Sequence, residues 1–256
     1  MKIFVFLLGS IIGSFLNVCI YRIPKEIGIV YPSSYCPKCS IPLKWYNLIP
    51  IISYLIQRGR CGNCDKIISP QYPIIEILNG ILYLILYNKL GLTIDAIFYG
   101  SIFSVLLVIS CIDLYHQIIP DSLNILILII GFIYNTIKFI LYGTNLEIIN
   151  HALGLMIPSC MFLLIAIITK GNMGGGDIKL IGVLGFILGV KKVLLNIFLS
   201  FISGAIISIF LLLFKIKGRK DSIPFGPFIC LSFIITLLWG DRILDWYIII
   251  NQRLYH

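Results

Sequence analysis

Charged residues are scarce in this sequence. Asp, Glu, Lys and Arg make up 12% of its 256 residues, whereas 59% are hydrophobic. About half apolar is usual for a soluble globule, so this balance excludes that class. The charges cluster in short segments between long apolar runs, as the loops and spans of a helical membrane protein require. The sequence also lacks the alternation of apolar and polar residues that a membrane β-barrel needs, as the run 125–133 illustrates.

Acidic residues are the scarcer charge: 11 of them stand against 20 basic residues, which gives a formal net charge of +9. The sequence has no basic helix and no basic patch interleaved with aromatic residues, so nucleic acid is not an expected partner. The basic residues lie in loops, where they suit contact with the cytoplasm and anionic lipid. We therefore expect these positive charges to interact with the lipid bilayer.

The apolar runs predict an all-α polytopic bundle of about eight transmembrane helices, at about 20 residues per span. No small-residue cleavage site follows the first run, so we expect it to be a retained span. The expected ranges are 3–21, 73–88, 95–113, 119–141, 149–169, 178–190, 193–214 and 225–240.

Lysine and arginine counts predict the orientation of these spans. With residues 22–72 in the cytoplasm, alternation places 13 of the 20 basic residues on that side, including Lys170, Lys179 and the 215–220 loop. The positive-inside rule then puts both termini outside. Residues 33–72 form the one long polar insert, which we expect to be cytoplasmic.

Four of the eight cysteines form two close pairs in this insert, with the spacing C-x2-C-x21-C-x2-C: Cys36, Cys39, Cys61 and Cys64. Each pair places two thiolates on one tight turn, and two such turns complete the tetrahedral shell of a structural zinc ion. Four protein ligands leave no open position for catalysis. The alternatives are two disulfides or unpaired thiols, and a reducing cytoplasm disfavours disulfides.

Two aspartates at membrane edges are the candidate catalytic residues. Asp177 follows Gly174, Gly175 and Gly176, whose missing side chains leave room for an extended peptide. Asp113 ends an apolar run that passes inward, and Asp177 begins one that passes outward, so both are expected at one depth on the cytoplasmic side. Two acids that meet in a low dielectric share a proton, and such a pair hydrolyses amides without a covalent intermediate.

Other interpretations of these acids remain open from the residues alone. Asp177 and Asp121 each lie at a helix start and suit N-capping, and Asp113 suits a solvated helix end. An ion-coupled transporter also uses intramembrane carboxylates, although the inverted repeats and second broken helix typical of transporters are not found. No serine nucleophile motif competes, and His116 and His151 belong to no recognisable triad.

Five motifs, in order along the chain, resemble those of the type IV prepilin peptidases, which are bacterial membrane enzymes of the GxGD aspartic protease class. Any one of the motifs is modest evidence, whereas five in order are highly specific. They are Gly13 to Val18 with Arg22 and Pro24, the paired CxxC motifs with Tyr72, Pro73 and Glu76, Asp113 through Asp121, Gly174 to Lys179, and Pro224 to Phe228.

The resemblance implies an activity, a site and a location. Such an enzyme removes the basic leader of type IV prepilins and pseudopilins, after a glycine, at the cytoplasmic face of the bacterial inner membrane. It then methylates the new N-terminal residue with S-adenosylmethionine. By motif position, Asp113 and Asp177 are the catalytic pair. Residues 1–72 are the first span and the zinc insert, a methyltransferase-type region, and residues 73–256 are the protease core.

The sequence does not show where the methyl donor binds, because it has no dinucleotide-type GxGxxG loop. Glu26 and Glu76 are the candidate acids for orienting or deprotonating the amine, and a solvated or structural acid is the alternative for each. The archaeal relatives lack both the insert and methylation, so the insert favours the two-step enzyme over a GxGD peptidase without methyl transfer. Lys179 is a candidate docking site for an acid of the pilin, with lipid headgroup contact as the alternative.

Overall fold

A computed structural model describes residues 1–143, 148–169, 173–216, 218 and 221–254. No β-strand occurs in these ranges, and the predicted all-α membrane bundle is confirmed. Of the residues used to predict orientation, Lys170, Lys217, Arg219 and Lys220 lie outside the described part of the chain. The helices are α1 (Lys2–Arg22), α2 (Ile52–Ile56), α3 (Gln71–Leu90), α4 (Ile94–His116), α5 (Asp121–Tyr142), α6 (Ile148–Ile168), α7 (Gly175–Leu213) and α8 (Gly226–Leu254), with short 3-10 segments at Ile23–Lys25 and Trp45–Leu48.

The chain forms two compact units, Met1–Ile112 and Asp113–His256. In the first unit, α1 and α3 approach backbone to backbone at small residues. A Cβ atom on Gly13 would lie 2.8 Å from the Cα of Glu76, and one on Gly9 would lie 2.9 Å from the Cα of Gly80. Membrane helices associate through such close approaches because lipid offers no hydrophobic drive. Asn79 Nδ2 also donates to the Gly9 carbonyl across the interface, at 2.7 Å.

In the second unit, the 39-residue helix α7 is interrupted at Gly189, whose φ of 71° and ψ of 171° are not helical. A straight helix of that length would extend about 58 Å, almost twice the roughly 30 Å of a bilayer's hydrocarbon core. The break frees backbone donors, and Asn150 Oδ1 accepts one of them, the Val190 N–H, at 3.1 Å.

Contacts with α6 show that α7 reverses direction at this break. A Cβ atom on Gly182 would lie 3.3 Å from the Leu155 carbonyl oxygen, while the ring of Phe201 lies 6.0 Å from that of Phe162. Residues 182 and 201 of a straight helix would be about 28 Å apart, but residues 155 and 162 of α6 are about 10 Å apart. Both halves of α7 therefore run along α6.

The reversal accounts for the number of membrane spans. Within the described ranges, seven helices are long and apolar enough to cross a membrane when α7 is counted once. Counted as two halves, it supplies the two spans predicted at 178–190 and 193–214. Helix α8 runs antiparallel to the second half, since Gly204 lies against Phe228 and Gly240 lies near Leu195. It continues past the predicted end at residue 240, because charged residues end an apolar run without breaking helical hydrogen bonds.

Substituting alanine for Gly185 is expected to destabilise the second unit. The new Cβ atom would overlap the carbonyl of Gly154 on α6, and backbone cannot move aside as a flexible side chain can. Overpacking of this kind costs about 1–3 kcal/mol. The matched control is Gly175→Ala on the same helix, where no described atom lies within 4 Å of the Cβ position. Thermal unfolding in detergent should show a lower Tm for Gly185→Ala alone, and equal Tm values would contradict this packing.

Candidate functional site

Asp113 lies one turn before the end of α4, and 5% of its surface is exposed. The backbone N–H of Gly226, the first residue of α8, donates to Asp113 Oδ2 at 2.9 Å. The positive end of a helix dipole thus faces a carboxylate, an arrangement that stabilises negative charge. A Cβ atom on Gly226 would lie 2.6 Å from the same oxygen. Only glycine therefore allows α8 to begin this close to the carboxylate.

Asp177 is the third residue of α7 and is half-buried. The N-cap position belongs to Gly174, which has extended dihedral angles and receives no side-chain cap. The Asp177 N–H donates to the Gly174 carbonyl at 3.1 Å. Its Oδ1 atom is buried and has no hydrogen-bond partner among the described residues. The aspartate thus caps no N–H group through this oxygen, and a buried acceptor without a donor is the feature that needs an explanation.

The structure brings the two chain segments that carry the predicted aspartates to one place in the second unit. Ile119, in the loop between α4 and α5, marks the meeting point. A Cβ atom on Gly176 would lie 2.8 Å from the Cβ of Ile119, and one on Gly226 would lie 3.2 Å from its Cδ1. The starts of α7 and α8 and the end of α4 therefore converge on this loop.

The loop itself is tied to both sides of the site. The Gln117 N–H donates to the Asp113 carbonyl at 2.9 Å, and Ser222 Oγ donates to Gln117 Oε1 at 2.9 Å, linking the loop to the segment before α8. Gln117 has a φ of 55°, a value uncommon outside glycine. Hydrogen bonds on both sides hold this turn and, with it, the position of Asp113.

The three predicted glycines of the approach surface have different surroundings. Gly174 and Gly175 are exposed. A side chain on Gly175 would meet no described atom within 4 Å, and one on Gly174 would meet only Asp177. Gly176 instead packs against Ile119. Open space beside the aspartates therefore lies over the first two glycines, whereas the third serves the close packing of α7 on the loop.

Lys179 lies two residues beyond Asp177 and forms an ion pair with Asp121. Its Nζ atom is 2.9 Å from Asp121 Oδ1 and 2.7 Å from Oδ2. The two side chains are 58% and 60% exposed, and pairs this exposed contribute about 0–1 kcal/mol. Asp121 is the first residue of α5, after the N-cap residue Pro120. Its predicted role as a cap is thus replaced by an ion pair that links the starts of α5 and α7.

The two CxxC segments of the insert have the same backbone conformation. Antiparallel bridges join Tyr35 to Pro42 and Arg60 to Ile67. Inside each bridge, the first cysteine carbonyl accepts an N–H from the residue after the second cysteine, at 2.8 Å for Cys36 and 2.9 Å for Cys61. Two copies of one tight turn thus present their thiols to each other.

The four cysteine side chains fit a tetrahedral metal site. Their Sγ atoms all lie within 4.8 Å of one another, and Cys36 Sγ is 4.0 Å from Cys64 Sγ. Zn–S bonds of about 2.3 Å give tetrahedral S···S edges of about 3.8 Å, whereas a disulfide requires about 2.05 Å. No disulfide occurs in the described chain. The cluster is therefore compatible with zinc.

A cavity of about 390 Å³ lies in the first unit, bounded by α1, α3 and the insert. Glu76 lines it and is 6% exposed. The Ile51 N–H donates to Glu76 Oε2 at 2.7 Å. Glu26 is exposed just beyond α1 and is not among the residues that line the cavity. Of the two acids predicted for methyl transfer, one thus lies at the cavity and the other does not.

Comparison with known proteins extends these observations. A model of the bacterial peptidase A24 N-terminal domain matches residues 7–90, and a model of the type IV leader peptidase family matches residues 100–209. A prepilin leader peptidase/N-methyltransferase of Legionella pneumophila is 35% identical to this chain, over 97% of the chain and 94% of the relative. The chain belongs to the type IV leader peptidase family. The four cysteines lie in the first matched segment and both aspartates in the second.

Other members of the family give the same result. A prepilin leader peptidase/N-methyltransferase of Bacillus subtilis (strain 168) is 33% identical over 95% of the chain and 96% of the relative. The corresponding protein of Pseudomonas aeruginosa is 32% identical over 94% of the chain and 91% of the relative. No solved structure matches the chain. With seven apolar helices in its described part, this family member is a multi-pass membrane protein.

For several residues at the aspartate site and the cavity, the sequence alone predicted no individual role. Gly226 was the one with a readable signal, since prolines at 224 and 227 flank it and a proline in the first turn favours a helix start there. Ile119 and Asn17 carried no such signal, because an apolar residue in a loop and an amide inside a span have many possible surroundings.

Removing the metal is expected to unfold the insert. The purified chain should contain one zinc ion per molecule by elemental analysis, and a strong chelator should remove the ion and expose the insert to proteolysis. Cys61→Ser should lower the zinc content sharply, because three ligands hold the ion less tightly than four. Cys160→Ser is the control, since Cys160 lies on α6 outside the cluster. Full zinc content in Cys61→Ser would contradict the assigned ligand set.

Proposed function

We propose that the chain cleaves the leader peptide from type IV prepilins or pseudopilins and then N-methylates the new N-terminal residue with S-adenosylmethionine. In this proposal the substrate is cut at the cytoplasmic face of the bacterial inner membrane. The observation that supports the first step is that the end of α4, which carries Asp113, and the start of α7, which carries Asp177, both lie at Ile119 together with the start of α8. The names of the relatives support both steps.

The proposed cleavage is hydrolysis by a proton-sharing pair of aspartates. Water adds to the scissile carbonyl while one carboxylate accepts a proton from it, and the protonated carboxyl of the other aspartate donates to the carbonyl oxygen. The C–N bond then breaks as the leaving nitrogen takes a proton back from the pair. General acid–base help of this kind contributes about 10²–10⁴-fold to a rate.

The two aspartates differ in how they are held, and we assign their roles on that difference. The Gly226 N–H occupies Oδ2 of Asp113 and fixes that carboxylate in place. Oδ1 of Asp177 is buried and has no donor in the described structure, so no hydrogen bond fixes this carboxyl through that atom. Asp113 is the oriented member of the pair, and we assign the contact with the incoming water to Asp177, because space is open over the neighbouring Gly174 and Gly175.

The peptide approaches over Gly174 and Gly175, where space is open beside Asp177. Gly176 supports this approach indirectly, since its missing side chain lets α7 pack on Ile119. Lys179 is the proposed docking residue for an acid of the pilin. Its present partner is Asp121, so docking exchanges one exposed ion pair for another, and such an exchange costs little.

We assign structural zinc to the four cysteines and methyl transfer to the first unit. Four thiolates fill a tetrahedral shell, so the ion supports the fold of the insert. Bound S-adenosylmethionine supplies an electrophilic methyl group for the pilin amine. A peptidase without methyl transfer is the less favoured alternative, because the relatives carry both activities in their names. No described feature favours an ion-coupled transporter.

Removing either aspartate is expected to abolish leader cleavage. Asp113→Asn and Asp177→Asn keep the side-chain shape but cannot share a proton, so the rate should fall at least about hundredfold. The assay incubates the purified full chain with a prepilin in detergent and follows loss of the leader. Methyl transfer to a peptide that already lacks its leader should continue in both variants.

Asp121→Asn is the matched control for these substitutions, because Asp121 lies close to the pair but is exposed and bound to Lys179. It should cleave within a few-fold of the wild-type rate, since an exposed ion pair contributes about 0–1 kcal/mol. Wild-type cleavage by Asp113→Asn or by Asp177→Asn would reject the aspartate pair.

Charge removal at Lys179 tests the docking proposal. Lys179→Gln should raise the KM for a prepilin that carries an acid just after the cleavage site, by about two- to fivefold for an exposed ion pair. It should leave the KM unchanged for the same prepilin with that acid neutralised. Asp121→Asn frees the lysine and should lower the KM for the acidic substrate. Equal effects on both substrates would remove the docking role.

A further inference from the structure

The cavity of the first unit has a buried polar floor. Asn17 and Glu76 line it and are 3% and 6% exposed. Asn17 lies five residues before the end of α1 at Arg22, and Glu76 lies five residues after the start of α3 at Gln71. Each is therefore about 7–8 Å inside its helix end. The cavity's volume of about 390 Å³ lies in the range of small-molecule sites, about 300–1,000 Å³.

Glu76 is a buried carboxyl without a cationic partner in the described chain. The Ile51 N–H donates to its Oε2 atom at 2.7 Å. Arg22 also lines the cavity, but its guanidinium donates to the carbonyls of Gly28, Ile29 and Ser33. Lys38 and Lys66 also line the cavity, but both are exposed to solvent and belong to the insert, whereas Glu76 lies buried at the floor. A buried carboxylate is costly unless it is paired, so this floor suits a cationic ligand.

Asn17 adds a second acceptor whose orientation is fixed. Its Nδ2 donates to the carbonyl of Gly13 at 3.3 Å and to that of Tyr72 at 3.1 Å. A flipped amide would set its oxygen against both carbonyls, so the hydrogen bonds determine which way it points. Oδ1 is buried and has no partner among the described residues. The floor thus has more acceptors than donors, and a ligand with several N–H donors would balance it.

The walls of the cavity are suited to a ligand that also carries an aromatic base or a positive charge. Four tyrosines line it: Tyr21, Tyr35, Tyr54 and Tyr72. Two of these rings already face cations of the chain, with Lys25 Nζ 3.6 Å from the centroid of Tyr21 and Arg22 Cζ 5.7 Å from that of Tyr35. Aromatic faces attract cations and stack on bases. Tyr54 and Tyr72 have no such cation in the described structure.

We propose that this cavity is the methyl-transfer site, and that Glu76 and Asn17 bind a primary ammonium group at its floor. The proposal rests on the two-step function above and deepens it. The ammonium comes from the new pilin N-terminus or from the methionine part of S-adenosylmethionine. In the transfer, Glu76 or solvent takes a proton from the pilin ammonium, the freed nitrogen bonds to the methyl carbon, and the C–S bond breaks to leave a neutral thioether.

The test uses the full zinc-loaded chain in detergent. Methyl transfer is followed with labelled donor and a leaderless pilin peptide, and binding of S-adenosylhomocysteine and 5′-methylthioadenosine is measured by calorimetry. Glu76→Gln keeps the side-chain shape and removes the charge, and Asn17→Leu removes the second acceptor. Asp95→Asn is the control, since it removes an acid of the same unit, in the first turn of α4, that does not line the cavity.

Glu76→Gln is expected to lower methyl transfer about ten- to hundredfold, the effect of losing one charge-assisted hydrogen bond. Asn17→Leu should also lower it, while leader cleavage and zinc content stay at the level of Asp95→Asn. Weaker binding of S-adenosylhomocysteine, but not of methylthioadenosine, identifies the donor's ammonium. Unchanged binding of both nucleosides with a raised KM for the peptide identifies the pilin amine. Either result supports the site.

Wild-type methylation and binding in Glu76→Gln would overturn the inference. So would loss of zinc in Glu76→Gln together with normal methylation in Asn17→Leu, because Glu76 would then serve the fold alone. Failure of the proposed function is a separate result: the wild-type chain would cleave prepilin but transfer no methyl group to any peptide.

Discussion

A carboxyl group at a membrane edge must be held by something other than bulk water, and here the backbone N–H of Gly226 holds Asp113. This hydrogen bond requires the start of α8 to lie close to the Asp113 side chain, and glycine at position 226 permits that approach. Gly176 likewise lets the start of α7 pack against the Ile119 side chain. The candidate protease site therefore depends on two glycines that bring helix backbone against side chains, where an added methyl group would have to displace its neighbour.

The reversal at Gly189 makes that meeting of helix ends possible. Without it, α7 would carry the chain to the far side of the membrane, and α8 would begin there. With it, the two halves of α7 run along α6 in opposite directions, and the chain returns to the side where Asp177 lies. Asn150, which accepts the N–H of Val190, stabilises a turn that leaves backbone groups unpaired in a medium where such groups are costly.

Much of this arrangement could be predicted from the sequence, because the strongest signals depend on local chemistry. The lengths of the apolar runs predicted the membrane spans. The cysteine cluster could be predicted from spacing within one short segment of the chain. Alternation of spans placed Asp113 and Asp177 on one side. The hydrogen bonds could not be predicted in this way. The sequence around Gly189 does not show whether this glycine serves helix packing or a chain reversal. The ion pair between Lys179 and Asp121 depends on where α5 and α7 begin in space, which the sequence does not give.

The two proposed reactions place opposite demands on their surroundings, which gives a physical reason for building them from different parts of the chain. Hydrolysis requires water and a shared proton, and Asp177 is half-buried with open space over Gly174 and Gly175. Methyl transfer requires an unprotonated amine and a shielded electrophile, and the first unit offers a tyrosine-lined cavity with a buried carboxyl. A single pocket that satisfied the first demand would expose the methyl donor to water. Cleavage also creates the free amine that the second reaction methylates, so the hydrolytic site must act first.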